Sequence, residues 1–228
     1  MSNPSRFKQF IVRHIYADHN SSGPVKKAIS ILIKELDEDT SKRGLNIGSG
    51  KSRLHERISN LDIVDGPFVD YIADGHTLPF DDNTFDIVIA QESLEHFEEP
   101  TTAVKEIYRV IKPNGLFYIQ VPFIIGYHPG PTDYWRFTKE GIDKLVVQAG
   151  FACESVAISV GPATGFYRVL VEFLAIFASL FSEKSYLYVK GFMSLVLFPI
   201  KFLDLLLNRS SQKDRIAGGY FAIARKSV

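Results

Sequence analysis

The chain has 228 residues, 46% of them hydrophobic, and its 26 Lys and Arg are balanced by 26 Asp and Glu. That length suits one domain with a full core, and zero net charge excludes the broad basic footprint that nucleic-acid binding requires. A single cysteine, Cys153, excludes an intramolecular disulfide and fits a reducing compartment.

The polar start, Met1-Ser2-Asn3-Pro4-Ser5, contains no apolar signal segment. Residues 6–16 place Phe7, Phe10, Ile11 and Ile15 on one face at helical spacing. Such a helix would be a packing arm on a sheet edge, a lid, or a membrane-facing surface. Ser21-Ser22-Gly23-Pro24 is a turn into a helix over 24–36, with Val25, Ile29, Leu32, Ile33 and Leu36 on its apolar stripe. A charged connection over 37–43 leads to the first strand.

That strand, Leu45-Asn46-Ile47, runs into Gly48-Ser49-Gly50. Glycines belong where the backbone bends sharply or a ligand comes close. A strand, a Gly-x-Gly turn and a helix would hold a nucleotide-like group at the helix N-terminus. The spacing therefore predicts a helix over 51–58. Gly50-Lys51-Ser52 also looks like the end of a phosphate-binding loop. That motif needs a glycine five positions before Gly50, where Leu45 stands, and no later strand ends in a magnesium-binding Asp.

Further strand-like segments follow at regular intervals. Residues 59–63 carry Asp62 at their end, with Asp65 nearby, and residues 69–75 end in Asp74-Gly75. The almost wholly apolar Phe85-Asp86-Ile87-Val88-Ile89-Ala90 reads as a strand buried on both faces. After it come Gln91 and His96, the latter a base, a substrate contact or a loop anchor. Thr101 is the expected N-cap of a helix to Ile111, which Lys112-Pro113-Asn114-Gly115 ends. Residues 115–122 form the next strand.

The segment 122–138 is loop-like, with three prolines and two glycines, yet carries Tyr127, His128, Asp133, Tyr134, Trp135 and Arg136. Aromatic and ionisable side chains on a loop above strand ends suggest a site. Equally, Trp135 and Phe137 would anchor the loop, with Arg136 paired to a carboxylate and Thr138 capping the next helix. That helix, 138–149, ends at Gly150. Strands are expected over 151–160 and 219–226. Between them, 163–207 is strongly apolar and helical in period. Arg168, Glu172, Ser179 and Glu183 share one polar stripe; Lys190, Ser194, Lys201, Asp204 and Asn208 share another. No apolar run reaches about 18 residues, so these are amphipathic rather than spanning helices. They would lie in a membrane interface, cover a lipid-bearing substrate, bury a dimer contact or pack as a lid.

Four pieces occur in a familiar order: Asn-Ile-Gly-Ser-Gly at 46–50, Ala-Asp-Gly with Leu-Pro-Phe at 73–80, Phe-Asp-Ile-Val with Leu-Glu-His at 85–96, and Arg-Val-Ile-Lys-Pro-Asn-Gly at 109–115. Over roughly residues 45–151 they resemble the class I S-adenosylmethionine-dependent methyltransferases of the methyltransferase type 11 kind. Two departures stand out: Asn46 holds the position of an acidic residue, and Ser52 that of a third glycine. The resemblance implies an α/β, Rossmann-like, doubly wound and mostly parallel sheet with an antiparallel last strand and the apolar helical insertion before it. One domain would comprise N-terminal helices (1–43), a cofactor-binding core (44–160), the insertion (161–218) and the last strand (219–228).

The implied cofactor is S-adenosyl-L-methionine. Asn46, Gly48, Ser49 and Gly50 would form its loop, Asp62 would accept from the ribose hydroxyls, Asp74 and Gly75 would meet the adenine, and Gln91 would close the pocket. The candidate general bases are His128, then Asp133 and His96; the candidate substrate contacts are Tyr127, Tyr134, Trp135 and Arg136. No Cys/His cluster is visible, and no metal is expected. The run Asp-Tyr-Trp-Arg-Phe-Thr at 133–138 resembles a subgroup implicated in modifying bacterial surface polysaccharide. The expected acceptor is thus a sugar hydroxyl on a lipid-linked glycan precursor. A quinone or other lipid-soluble small molecule is the alternative, and a non-catalytic scaffold with a degenerate fold the third reading. The expected place is the cytoplasm, at the inner membrane face, with a homodimer among the possible assemblies.

Overall fold

The computed structural model describes residue 20 and residues 22–227; the expected helix at 6–16 lies outside them. Helix α1 (Gly23–Glu38) leads to β1 (Gly44–Ile47), β2 (Ile58–Asp62) and the short β3 (Tyr71–Ile72). Next come β4 (Phe85–Gln91), α2 (Pro100–Val110), β5 (Ile111–Pro122), α3 (Lys139–Gln148) and β6 (Phe151–Val160). The insertion then supplies α4 (Pro162–Ser179), α5 (Glu183–Val196), a 3-10 segment over Phe198–Leu203 and the single turn α6 (Asp204–Leu207), before β7 (Gly219–Lys226).

One seven-stranded sheet has the order β3-β2-β1-β4-β5-β7-β6. All pairs are parallel except β5 with β7 and β6 with β7. This is the expected fold class. Side chains alternate between faces along a strand, and that alternation builds two cores. On β4, Ile87 and Ile89 point to α1, where Val25, Ala28, Leu32 and Leu36 meet them. Val88 and Ala90 point the other way, to Val104 and Ile107 of α2 and Val146 of α3. Both faces are covered, so the central strands are mostly apolar.

Local chemistry sets the helix ends. Ser22 caps α1, its Oγ accepting from the Val25 amide at 3.4 Å. Thr138 caps α3 through the Gly141 amide at 3.0 Å. Gly150 at φ 107° takes the left-handed turn expected after α3, whereas α2 stops at Val110 and Asn114, at φ 66°, lies within β5 instead of at the helix end. Thr101 is not a cap: α2 starts one residue earlier, at Pro100, with Glu99 before it.

The largest departure lies after the glycine loop. Residues 51–58 form no helix; the chain crosses from β1 to β2 as turns and irregular backbone. Its carbonyls are taken by side chains. Asn60 Nδ2 donates to Ser52 O at 2.9 Å, and Arg53 reaches Ile58 O and Phe68 O while pairing with Asp70 at 2.7 Å. The crossover is too short for an ordinary helix to pack back on the sheet.

The insertion is inverted. Its polar stripes turn inward: Glu172 of α4 pairs with Lys190 of α5 and accepts from Tyr186 Oη at 2.8 Å, while the Tyr167 hydroxyl donates to Ser194 O at 2.8 Å. Phe166, Val169, Phe173, Ile176 and Phe177 of α4 face solvent, as do Leu187, Tyr188 and Phe192 of α5. Asp204 ties the insertion together. Gly161, which precedes α4, has no side chain to cap it, so the Asp204 carboxylate accepts from the Ala163 amide (2.7 Å), the Thr164 amide (3.1 Å) and Thr164 Oγ1 (2.6 Å). No helix among the described residues is long and apolar enough to cross a membrane.

Candidate active site

A cleft of about 310 Å³ opens where β1, β2 and β4 end. In an open α/β sheet, ligands bind outside the carboxyl ends of the strands where the chain order reverses; here β1 lies between β2 and β4. Gly48, Gly50, Asp62, Asp74 and Gly75 all line it.

Each is held by backbone chemistry. Gly48 (φ 66°) donates to Leu61 O at 2.9 Å, and any Cβ on it would meet Ser93 Cβ at 2.4 Å. Asp62 Oδ2 accepts from the Gly50 amide at 2.8 Å and Oδ1 from the Val64 amide at 3.0 Å. The carboxylate thus pins the loop to β2 and keeps spare lone pairs toward the cleft. Asp74 Oδ1 accepts from the His76 amide (2.9 Å) and faces His76 Nδ1 (2.6 Å); these contacts lower its pKa. At Gly75 a Cβ would come 2.5 Å from the Phe97 ring, so the ring's close approach requires glycine.

Three expected cofactor residues sit elsewhere. Asn46 is buried, its Nδ2 donating to Asn60 Oδ1 at 3.2 Å, so it joins β1 to β2. Ser49 is buried beside the loop and does not line the cleft. Gln91 turns toward Gln120 of β5 at 3.4 Å. The cleft wall after β4 is instead Glu92, Ser93, His96 and Phe97. Glu92 holds a left-handed φ of 49° and accepts from Gln120 Nε2 at 3.1 Å. A strained non-glycine residue at a ligand cleft fits the usual placement of such strain. Sequence alternation gave no hint of it, because the strand ends just before the turn.

The loop 122–138 folds over β4 and β5 as a braced unit. Arg136 grips both Asp133 oxygens (2.6 and 2.7 Å) and donates to Gly126 O at 3.0 Å. That grip drives the Asp133 pKa down to about 2, and its side chain is almost fully buried. Asp133 is therefore a structural anion, not a base at neutral pH, and Arg136 is its clamp. Trp135 Nε1 donates to Phe97 O at 2.9 Å, anchoring the loop to the cleft wall. Tyr134 is half exposed and does not line the cleft, whereas Tyr127 and His128 line a second cavity of about 150 Å³. Arg168, Glu172, Lys190 and Ser194 of the insertion complete that cavity.

Between cleft and cavity sits an acid that the sequence reading passed over. Glu95 is fully buried, and neither carboxylate oxygen has a hydrogen-bond partner among the described residues. His96 Nε2 lies 3.7 Å and His128 Nε2 3.6 Å from its Oε1. Burial pushes Glu95 up to about 7, and the side-chain contact with Glu95 raises His128. The two histidines, 32 positions apart in sequence (128 − 96), meet edge to face with ring centres 5.3 Å apart. His96 faces the cleft, His128 the second cavity.

Residues 46–119 match the family model described as a methyltransferase domain. The demethylmenaquinone methyltransferase of Geobacillus sp. (strain WCH70) is 30% identical over 114 residues, which is 49% of this chain and 45% of that protein. The chain spans about half the length of such curated relatives. Among solved structures, the [4+2]-cyclase SpnF superposes with a TM-score of 0.54 at 18% identity, covering 97% of this chain and 94% of its own. Phosphoethanolamine N-methyltransferase 2 of Haemonchus contortus, in complex with S-adenosyl-L-methionine, gives 0.55 at 17% identity, covering 99% and 61%. At such identities the likeness is one of fold. Residues 46–119 thus match a methyltransferase domain, and the fold is shared over nearly the whole chain with these solved structures.

Proposed function

We propose that this S-adenosylmethionine-dependent methyltransferase acts on an amphiphilic acceptor, a lipid-linked sugar whose hydroxyl it methylates. The observation that carries the reading is the inverted insertion. The polar residues of α4 and α5 line a cavity next to the cofactor cleft, and their large apolar side chains face outward. A polar head group fits the cavity walls of Tyr127, His128, Arg168, Glu172 and Lys190, while an apolar tail or a bilayer surface covers Phe173, Phe177 and Phe192.

In this reading Gly48, Gly50, Asp62, Asp74 and Gly75 hold the cofactor. The sulfonium methyl is already electrophilic, so alignment of the acceptor supplies most of the rate. The acceptor oxygen forms its bond to the methyl carbon as the carbon–sulfur bond breaks, with the electron pair staying on sulfur. The hydroxyl proton leaves to the Glu95–His96–His128 cluster, whose His96 faces the cleft.

A quinone-like acceptor is the second reading, favoured by relatives described as demethylmenaquinone methyltransferases. The test is transfer of label from methyl-tritiated cofactor to three acceptors in detergent: a polyprenyl-linked sugar, a demethylated quinone and a water-soluble sugar nucleotide. Label in the first alone supports the proposal. Label in the quinone alone replaces it with the second reading, and label in the sugar nucleotide alone removes the role given to the apolar face.

A further inference from the structure

We infer that Glu95, His96 and His128 form a binding site for one divalent transition-metal cation, at the boundary between the cofactor cleft and the cavity under α4 and α5. The sequence showed no metal-ligand cluster, because its members come from the turn after β4 and from the loop after β5. The fold brings their ligand atoms within 4.8 Å of one another.

His96 Nδ1 lies 2.5 Å from Thr132 O, and His128 Nδ1 lies 3.0 Å from Gly126 O. A carbonyl oxygen has no proton to give, so each Nδ1 carries the hydrogen. Arg136 Nη2 also approaches His128 Nδ1, at 3.3 Å, but it donates over shorter distances to Gly126 O and to Asp133 Oδ2. Nε2 of each ring is then the atom turned to the acid, 3.7 and 3.6 Å from Glu95 Oε1. Those separations are too long for hydrogen bonds, and the carboxylate is otherwise unpartnered in a fully buried position.

Converging lone pairs repel one another unless a proton or a cation lies between them. Ligands about 2.1 Å from a metal in tetrahedral geometry stand roughly 3.4 Å apart, close to the two histidine–carboxylate separations of 3.7 and 3.6 Å. A backbone carbonyl behind each imidazole is the usual support for a metal-bound histidine. Two imidazoles with one carboxylate suit zinc, manganese, iron or cobalt rather than magnesium or calcium. The three ligands leave coordination positions for water or an acceptor oxygen. This use of the ion deepens the methyl-transfer reading: with the histidine and carboxylate lone pairs taken by the cation, a coordinated hydroxyl is acidified and its proton passes to water instead of to the cluster; the binding of the ion stands independently of it.

The experiment is calorimetric titration of chelator-treated, tag-free full chain with Zn²⁺ and Mn²⁺, alongside visible absorption with Co²⁺. S-Adenosylhomocysteine is titrated separately. Expected are one ion per chain, a cobalt d–d band of nitrogen and oxygen ligation, and at least tenfold weaker binding in Glu95→Gln, a near-isosteric change. His96→Gln, at a partly exposed position, should do the same, so the inference does not depend on one buried variant folding. A folded chain that binds S-adenosylhomocysteine but no metal overturns the inference and leaves the methyltransferase reading intact. Metal binding unchanged in both variants also overturns it. Metal binding without S-adenosylhomocysteine binding supports the site and removes the proposed reaction.

Discussion

Gly48 is the tightest point of the glycine loop, and replacing it with alanine tests the contact between the turns that follow β1 and β4 directly. The residue sits at φ 66°, and a Cβ would come 2.4 Å from Ser93 Cβ and 3.2 Å from Ser93 Oγ. The left-handed backbone costs an alanine about 1 kcal/mol relative to glycine. Overpacking adds about 1–3 kcal/mol, because neither partner is free to retreat. Gly48 is fastened to Leu61 O at 2.9 Å, and Ser93 O holds the His96 amide at 3.0 Å. Gly48→Ala should therefore lose about 2–4 kcal/mol. With a urea dependence of about 3 kcal/mol per molar, the midpoint drops by about 1 M, read from Trp135 fluorescence. The double variant Gly48→Ala/Ser93→Gly separates the two causes: it removes the steric part and leaves the backbone part of about 1 kcal/mol. A midpoint shift under about 0.3 M, or no coupling between the two positions, would refute the reasoning.

Other consequences are equally direct. Asp62→Ala removes the acceptor at the end of β2 and should weaken S-adenosylhomocysteine binding by about 1–3 kcal/mol, the scale of charge-assisted hydrogen bonds; unchanged calorimetric affinity would take Asp62 out of the site. Asp204→Ala frees the start of α4, at a cost of about 1–2 kcal/mol for a lost helix cap. Faster hydrogen exchange at the Ala163 and Thr164 amides is the readout, and unchanged protection would mean the clasp contributes nothing. Arg136 holds Asp133 at about 2, below the usual carboxylate value near 4. Because the folded value is the lower one, the pair's stabilisation is fully present above about pH 5 and is lost as pH falls toward 2. Urea midpoints of the parent and Asp133→Asn should differ at pH 6, with the gap narrowing through pH 3 and closing only near pH 2; parallel curves would contradict the pairing.

Much of the fold was legible from residue order because it rests on local patterns. The apolar run 85–90 had to be a strand covered on both faces, Pro24 and Thr138 marked helix starts, and Gly150 marked a helix end. The positions of Gly48, Asp62, Asp74 and Gly75 at a common cleft also followed, since strand ends in a parallel sheet converge on one edge. Where a distant partner takes up the local hydrogen bonds, the pattern misled. Asn60 claims the Ser52 carbonyl that a helix at 51–58 would have used, and Asn46 donates to Asn60 across β1 and β2. The polar stripes at 168–183 and 190–208 were visible as periodicity, but periodicity does not say which face turns inward. Only packing showed the charges meeting inside and the phenylalanines left outside. The same holds for Glu95, His96 and His128. Residue order by itself determined the sheet, its two cores and the cofactor edge, because strand alternation and turn chemistry act over a few residues. The buried cluster was decided by tertiary structure alone, because contact between two loops depends on how the whole sheet places their ends.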